Sequence, residues 1–367
     1  MLWHLLRMSR SRPPGLGEND DRRGDLYRAS LQQFEELLNA AASIGPAASP
    51  LPLYYALNQA GRAILAVRET DDTKVFARNE HHGLTLARES VGDDLLGAAV
   101  QPVRADAGHY QKVATVTGSP FLTLKDGVEL GALIAALPEA GDEGFDDDTW
   151  PTAVRVHPLM RFSPQPNLLD KWDGDSMTSR LLFSQGTMQI GLVTDRIASV
   201  ETLASFAAEY PALCNRQATL GMLQPGQPSL LYWQTPAGRA LEVRIHVPRS
   251  SAILEEDHEA LLNDIAPQYR WLGRRWLRPS LEGSQPPPSP LMTWWAVLHA
   301  LSMLARYHPT AWTAALSIDK SPRAASLERT LALALGTLPH LVFEAVGLAS
   351  GGPLLLPPGP DAPPLTG

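Results

Sequence analysis

Two stretches of this chain are too apolar to face water, and they lie far apart in the sequence. Residues 53–68 read LYYALNQAGRAILAVR, and residues 291–305, LMTWWAVLHALSMLA, carry no charge at all. A helix of either composition has to cover nearly its whole circumference, and neither run has a short neighbour able to do so. The two are therefore expected to pack against each other, which brings the ends of the chain together in one helical frame. Membrane crossing explains the runs less well. The 291–305 stretch falls short of the ~20 residues that a span needs. The longer apolar run at 330–350 holds Pro339, His340 and Glu344 near its middle, where a carboxylate is costly in lipid. No membrane association is expected. No secretory signal is read at the start, where only residues 2–6 are continuously apolar.

Between these runs the texture changes. ALEVRIHVP alternates Val243, Ile245 and Val247 against Glu242, Arg244 and His246, the period of a half-buried strand. YQKVATVTG, TAVRVHP, RLLFSQ, SLLYWQTP and QYRWLGRRWLRPSL read as further strand-like runs, with helical segments at 128–137 and 199–209 between them. Leu26, Leu31, Phe34, Leu37 and Leu38 share a helical stripe over 25–42, which GPAASP separates from the 53–68 helix. The reading is an α+β fold: a helical frame from the N- and C-terminal regions, with a β-rich, mostly antiparallel middle. Its divisions are a flexible arm at 1–24, an N-terminal helical region at 25–107 and a β-rich middle at 108–281. A proline-rich connector at 282–290, a C-terminal helical region at 291–350 packing on 25–107, and a disordered tail at 351–367 complete it.

Composition excludes some functions. Hydrophobic residues make up 44% of the chain and charged residues 19%. Such a chain can bury a core. A formal net charge of −8 gives no global attraction to nucleic acid or to anionic lipid. The single cysteine, Cys214, reads as a small buried apolar residue and permits neither an internal disulfide nor a cysteine-rich zinc site. It suits a reducing compartment, so a cytoplasmic location is expected. No phosphate loop, dinucleotide fingerprint, HExxH or GxSxG is present, and neither a metal nor any other cofactor is expected.

Candidate site residues come instead from polar groups set in apolar surroundings. On the first helix Tyr55, Asn58 and Arg62 share one face, and Tyr54, Leu57, Gly61 and Leu65 another. Buried polar groups require partners, so this stripe is either a hydrogen-bond network or the floor of a pocket. His81 and His82 offer a loop that caps the next helix, or an imidazole acting as base or ligand. Arg306, Tyr307 and His308 end the second apolar helix, where cations suit the helix dipole or an arginine binds an anion. The basic, aromatic run from Tyr269 to Arg278 reads as an amphipathic strand with snorkelling arginines, or as a stacking surface for bases.

In order, PLPLYYALNQAGRAILAVRE, HHGL, GSPFLTL and LHALSMLARYHPTAW resemble the YaaC-like bacterial proteins, over residues 25–348. The resemblance implies a bacterial cytosolic protein of one family-wide architecture and supplies no reaction. It implies that Tyr55, Asn58, His82, Gly83, Arg306 and Tyr307 sit where the family pattern is strongest. LYYALNQAGRAIL with HHGL also looks faintly like HEPN helical domains, whose ribonucleases use an arginine followed after four to six residues by a histidine. Arg104 with His109 and Arg239 with His246 match that spacing, but in a loop-like stretch and in a strand.

The resulting expectation is a binding or regulatory protein with a polar pocket in its helical frame, a HEPN-type ribonuclease or other nucleotide-directed enzyme being the alternative. The pocket is expected to gather Asn58, Arg62, His82 and Arg306. Two arginines in one buried place need an anion between them, so an anionic small molecule or nucleotide is the expected ligand, unless Glu69 or Glu344 neutralises them.

Overall fold

The computed structural model describes residues 2–77, 81–87, 91, 94–103, 108–142, 149–158, 186–214, 216, 218–224, 227–235, 238–247, 255–269, 273–283 and 285–347. The first part of the chain forms α1 (Leu2–Ser11), α2 (Asp21–Ala42), α3 (Pro50–Arg68) and α4 (Asp72–Val75). Strands β1 (Leu84–Leu86) and β2 (Ala99–Pro102), helix α5 (His109–Val116), β3 (Val128–Glu129), α6 (Leu130–Ala135) and α7 (Pro138–Asp142) follow. The middle begins with β4 (Val154–Pro158), β5 (Gly186–Leu192), α8 (Val200–Glu209) and α9 (Pro211–Cys214). It continues through β6 (Ala218–Leu220), β7 (Met222–Gln224), β8 (Gln227–Pro228), β9 (Tyr232–Thr235) and β10 (Gly238–Val247), and ends with α10 (Glu255–Ile265), β11 (Gln268–Tyr269) and β12 (Arg274–Leu277). Helices α11 (Pro290–Tyr307), α12 (Pro309–Ala315) and α13 (Ala324–Gly347) complete the chain.

The fold is α+β. Two cores organise it. One joins both ends of the chain: Phe34, Leu57 and Ile64 pack with Trp295, Leu301 and Val342. Helix α3 lies between α2 and α11, so the two apolar runs do meet. Proline opens both helices at the first turn, where its missing N–H leaves no bond unmade. The other core belongs to the antiparallel sheet ordered β11-β12-β4-β5-β10-β6, with β9 beside β10. Register places Val154, Val156, Ile190, Leu192, Val243 and Ile245 on one face. Leu203, Phe206, Leu213, Leu262 and Ile265, from α8, α9 and α10, cover that face. Of the runs expected as strands, those around Val154, Leu231 and Val243 contribute β4, β9 and β10. The run around Leu182 and the tail 351–367 lie outside the described residues.

Several expectations need correction. The arm at 1–24 holds α1, because Leu6 inserts into the first core while Arg7 and Arg10 both bond the carboxylate of Glu35 on α2. Helix α2 itself starts at Asp21 and not at Asp25, since the Asp20 side chain accepts from the Arg23 N–H as an N-cap. YQKVATVTG is helix α5, not strand. With β3, α6 and Trp150, it belongs to the core of the helical frame, which moves the start of the β-rich unit from 108 to about Val154. Cys214, expected to be buried, is exposed.

Helix α13 is, among the described residues, the one helix long and apolar enough to cross a membrane. Two-thirds of its most apolar window is buried inside the protein, as expected of a core helix.

Candidate functional site

Helices α3 and α11 run antiparallel. Tyr54, early on α3, meets His299, midway along α11, with ring centroids 5.1 Å apart. One to two turns further along α3, a methyl group on Gly61 would strike the Trp295 ring and come within 2.7 Å of His109 Nε2. Gly61 is what lets the helices and the His109 ring close together. The apolar stripe Tyr54, Leu57, Gly61 and Leu65 therefore faces inward, as its spacing predicts.

Beside this seam lies the His81-His82-Gly83 loop. Its main chain caps helix α5: the His109 and Tyr110 N–H groups donate to the carbonyls of His81 (2.9 Å) and His82 (3.2 Å). Gln111 Nε2 and the Val103 N–H both donate to the Gly83 carbonyl, at 2.9 and 3.0 Å. Gly83 has φ +87, and a methyl there would run into Gln111; one on Gly108 would run into Gly83. Only glycine fits this crossing. The capping role anticipated for the loop is thus real, but main-chain carbonyls fill it and not the imidazoles.

The His82 ring, exposed to solvent, stands 5.4 Å from the Tyr54 ring and 6.3 Å from that of His299. Behind it, His299 is 2% exposed. Burial, helped by nearby His82, pushes its pKa down to about 3, so it is neutral at physiological pH. Neither His299 nitrogen meets a hydrogen-bond partner, and neither does the Tyr54 hydroxyl. Burial also raises the Tyr54 pKa; the Asn58 amide and the Trp295 indole offset part of that rise without reaching hydrogen-bond geometry.

The structure sorts the expected site residues into three groups. His82 is at the seam, with Tyr55 at its edge, 37% exposed and 5.9 Å from the Tyr54 ring. Asn58 is buried and structural: its amide donates to the Tyr54 carbonyl at 3.0 Å, and its own carbonyl lies 3.1 Å from His109 Nε2. Arg62, Arg306 and Tyr307 are exposed, and the Arg306 guanidinium sits 4.9 Å over the Tyr307 ring. Because the helices are antiparallel, Arg62 and Arg306 lie beyond Tyr54 and His299 in opposite directions. At about 1.5 Å per residue their Cα atoms are on the order of 20 Å apart along the axes. The expected four-residue pocket does not form. Glu69 bonds the Asp71 N–H and pairs with Lys74, not with either arginine.

Sequence reasoning misses two residues at the seam. Tyr54 reads only as part of the apolar stripe. His299 is hidden inside LHALSML, although a histidine within a charge-free run is itself the signal.

No group of three or more potential metal ligands occurs among the described residues. Two clefts lie elsewhere: one of about 490 Å³ between Leu95, Ala311, Lys320 and Arg323, and one of about 290 Å³ beside Trp276.

Of the arginine–histidine spacings, Arg104 lies outside the described residues, and Arg239 and His246 occupy strand β10. No curated protein and no solved structure matches the chain, and similarity to HEPN domains is not shown. The model of the YaaC-like protein family matches residues 18–346, nearly the whole length. The chain belongs to the YaaC-like protein family.

Proposed function

We propose that this is a binding protein, not a catalyst, and that its ligand is a small molecule with a heteroaromatic ring, a nucleotide being the concrete case. The observation that carries this reading is the exposed His82 ring standing over two buried, unpartnered polar groups, the imidazole of His299 and the hydroxyl of Tyr54. Because the loop backbone is pinned to α5, rotation of the His82 side chain alone uncovers them. A base entering there stacks between His82 and Tyr55, and its ring edge meets one ring nitrogen of neutral His299, donor or acceptor according to the tautomer, and the Tyr54 hydroxyl. Buried polar groups ordinarily find partners, and these two stand against each other at one seam. With Arg62 and Arg306 far from the seam, the base supplies the recognition and the phosphates remain in solvent. A cytoplasmic location is part of this reading, since exposed Cys214 suits a reducing compartment.

Calorimetric titration of the full chain with adenosine, AMP and ATP tests it. Similar affinities for all three, weakened about tenfold or more in His82→Ala, are expected. Absence of binding by all three, or unchanged binding in His82→Ala, overturns the proposal.

A further inference from the structure

The basic, aromatic run ending at Arg278 has a role unrelated to the α3–α11 seam. Two of its arginines, Arg275 and Arg278, are turned inward and are not presented to phosphates. Arg275 is turned inward onto Asn263 Oδ1 (2.7 Å) and the Ala266 carbonyl (3.0 Å). Arg278, buried, donates to the carbonyls of Ala136 and Pro288 and to the Thr293 hydroxyl. Among the described residues of the run, the Trp276 indole is left without a hydrogen-bond partner.

Trp276 lies on β12 opposite Arg155, whereas Arg275 and Leu277 lie opposite Val156 and Val154 on the face that makes the sheet core. Its side chain therefore leaves the sheet on the other side. It is 1% exposed, yet it belongs to neither hydrophobic core. Its indole Nε1–H, sealed from solvent, meets no acceptor. A donor left unmade in such a place costs about 1–3 kcal/mol.

Trp276 lines a cleft of about 290 Å³, together with Tyr269 and four prolines, Pro211, Pro267, Pro286 and Pro287. Proline rings make stiff, flat walls and offer no main-chain N–H. The Arg216–Asp264 ion pair stands among the cleft's lining residues and satisfies itself. The volume lies at the small end of ligand pockets.

We propose that this cleft is a second binding site, taking a compact ring-bearing molecule that presents a carbonyl or carboxylate oxygen to the Trp276 indole. The flat apolar body lies between the proline walls and Tyr269, and a turn of the indole toward the cleft brings its Nε1–H, closed to water in the free protein, onto the oxygen. An apolar ring without an acceptor leaves the donor orphaned, so the acceptor decides affinity.

The test uses the full chain with its nine tryptophans carrying a nitrogen-15 indole label, and three probes: benzoate, benzamide and toluene. Benzoate or benzamide should move one indole resonance, the one missing from Trp276→Phe, and toluene should bind about tenfold more weakly or worse. Tighter binding of benzoate identifies a carboxylate ligand, tighter binding of benzamide a carbonyl ligand; either supports the site. Ala212→Trp, which plugs the cleft from α9 and leaves the indole in place, should abolish the response and keeps the test valid if Trp276→Phe does not fold. The proposal fails if no indole resonance responds or if toluene binds as well as benzoate. It fails equally if the response survives Ala212→Trp.

Discussion

The Tyr54 ring meets His299 edge-on, at an interplanar angle of 67°, across the seam that Gly61 lets close. Neither the hydroxyl nor the imidazole is hydrogen-bonded. Leucine at position 299 would satisfy such a seam better. On the proposed function, this polar pair is kept at a cost in stability because it serves binding.

His299→Leu should therefore raise stability by about 1 kcal/mol, because it removes a buried unpartnered group at nearly constant volume. The same change should weaken nucleotide binding about tenfold or more. Denaturant melts and calorimetry on one preparation read both. A loss of stability would mean that the imidazole is satisfied in solution.

Acid should unfold the protein earlier than carboxylate titration alone explains. An unfolded histidine titrates near 6.5, whereas His299 in the fold is held at about 3 by burial and then by His82. Between those values the unfolded chain binds a proton that the folded chain does not. His299 therefore draws nothing from stability by titration above about pH 6.5, and stability declines as pH falls toward the folded value, by at most ~1.4 kcal/mol per pH unit. His157 and His340, also lowered by burial, act in the same direction. Stability measured from about pH 7.5 down to about pH 5, the span in which an unfolded histidine gains its proton, should fall less steeply in His299→Leu. Equal slopes would count against the burial argument.

Periodicity makes the frame legible: charge-free 291–305 and the Tyr54–Leu65 stripe can only pack inward, and they do so against each other. Alternation likewise reveals β10. What stays hidden depends on long-range partners. Arg7 and Arg10 look solvated until Glu35 is seen beside them, and YQKVATV carries the β-branched residues of a strand although its Tyr110, Val113 and Ala114 recur at helical spacing and pack into the helical core. Arg62 and Arg306 each look like half of an anion site, but composition carries no information on whether two helices run parallel or antiparallel. That direction alone separates them.

Gly83→Ala should cost about 1–3 kcal/mol, since φ +87 disfavours any side chain and the new methyl meets Gln111. Because the loop presents His82, ligand binding should weaken as well. Gly97→Ala, which meets nothing within 4 Å, is the control. Comparable melting points for the two variants would mean that the loop relaxes freely.

Glu35→Ala should loosen α1. Glu35 is buried and its carboxylate accepts from both Arg7 and Arg10. The Arg7 side chain is mostly exposed, so solvent screens its share, and the bond from Arg10 carries most of the loss. Global stability should therefore change little, while the helix frays locally. Trypsin should then cut after Arg10 or Arg12 several-fold faster than in the parent protein. An unchanged digestion rate would show that the packing of Trp3 and Leu6, with the Ser9–Tyr27 hydrogen bond, anchors the helix without Glu35.

Arg62→Ala and Arg306→Ala decide whether anything remains of a shared anion site. Both side chains are exposed, and neither forms an ion pair among the described residues; the Arg306 guanidinium rests over Tyr307. An exposed arginine of this kind contributes little to stability, within about 0.5 kcal/mol. Placed at opposite ends of the seam, the two cannot clamp one phosphate, and adenosine should bind about as well as ATP. Each single variant, and the double variant, should therefore keep nucleotide affinity within about twofold of the parent, while His82→Ala loses about tenfold or more. A double variant that lost ATP binding but kept adenosine binding would restore the phosphate-clamp reading. It would also require the two helices to move relative to each other when ligand binds, because about 20 Å along the axes is too far for one phosphate to bridge.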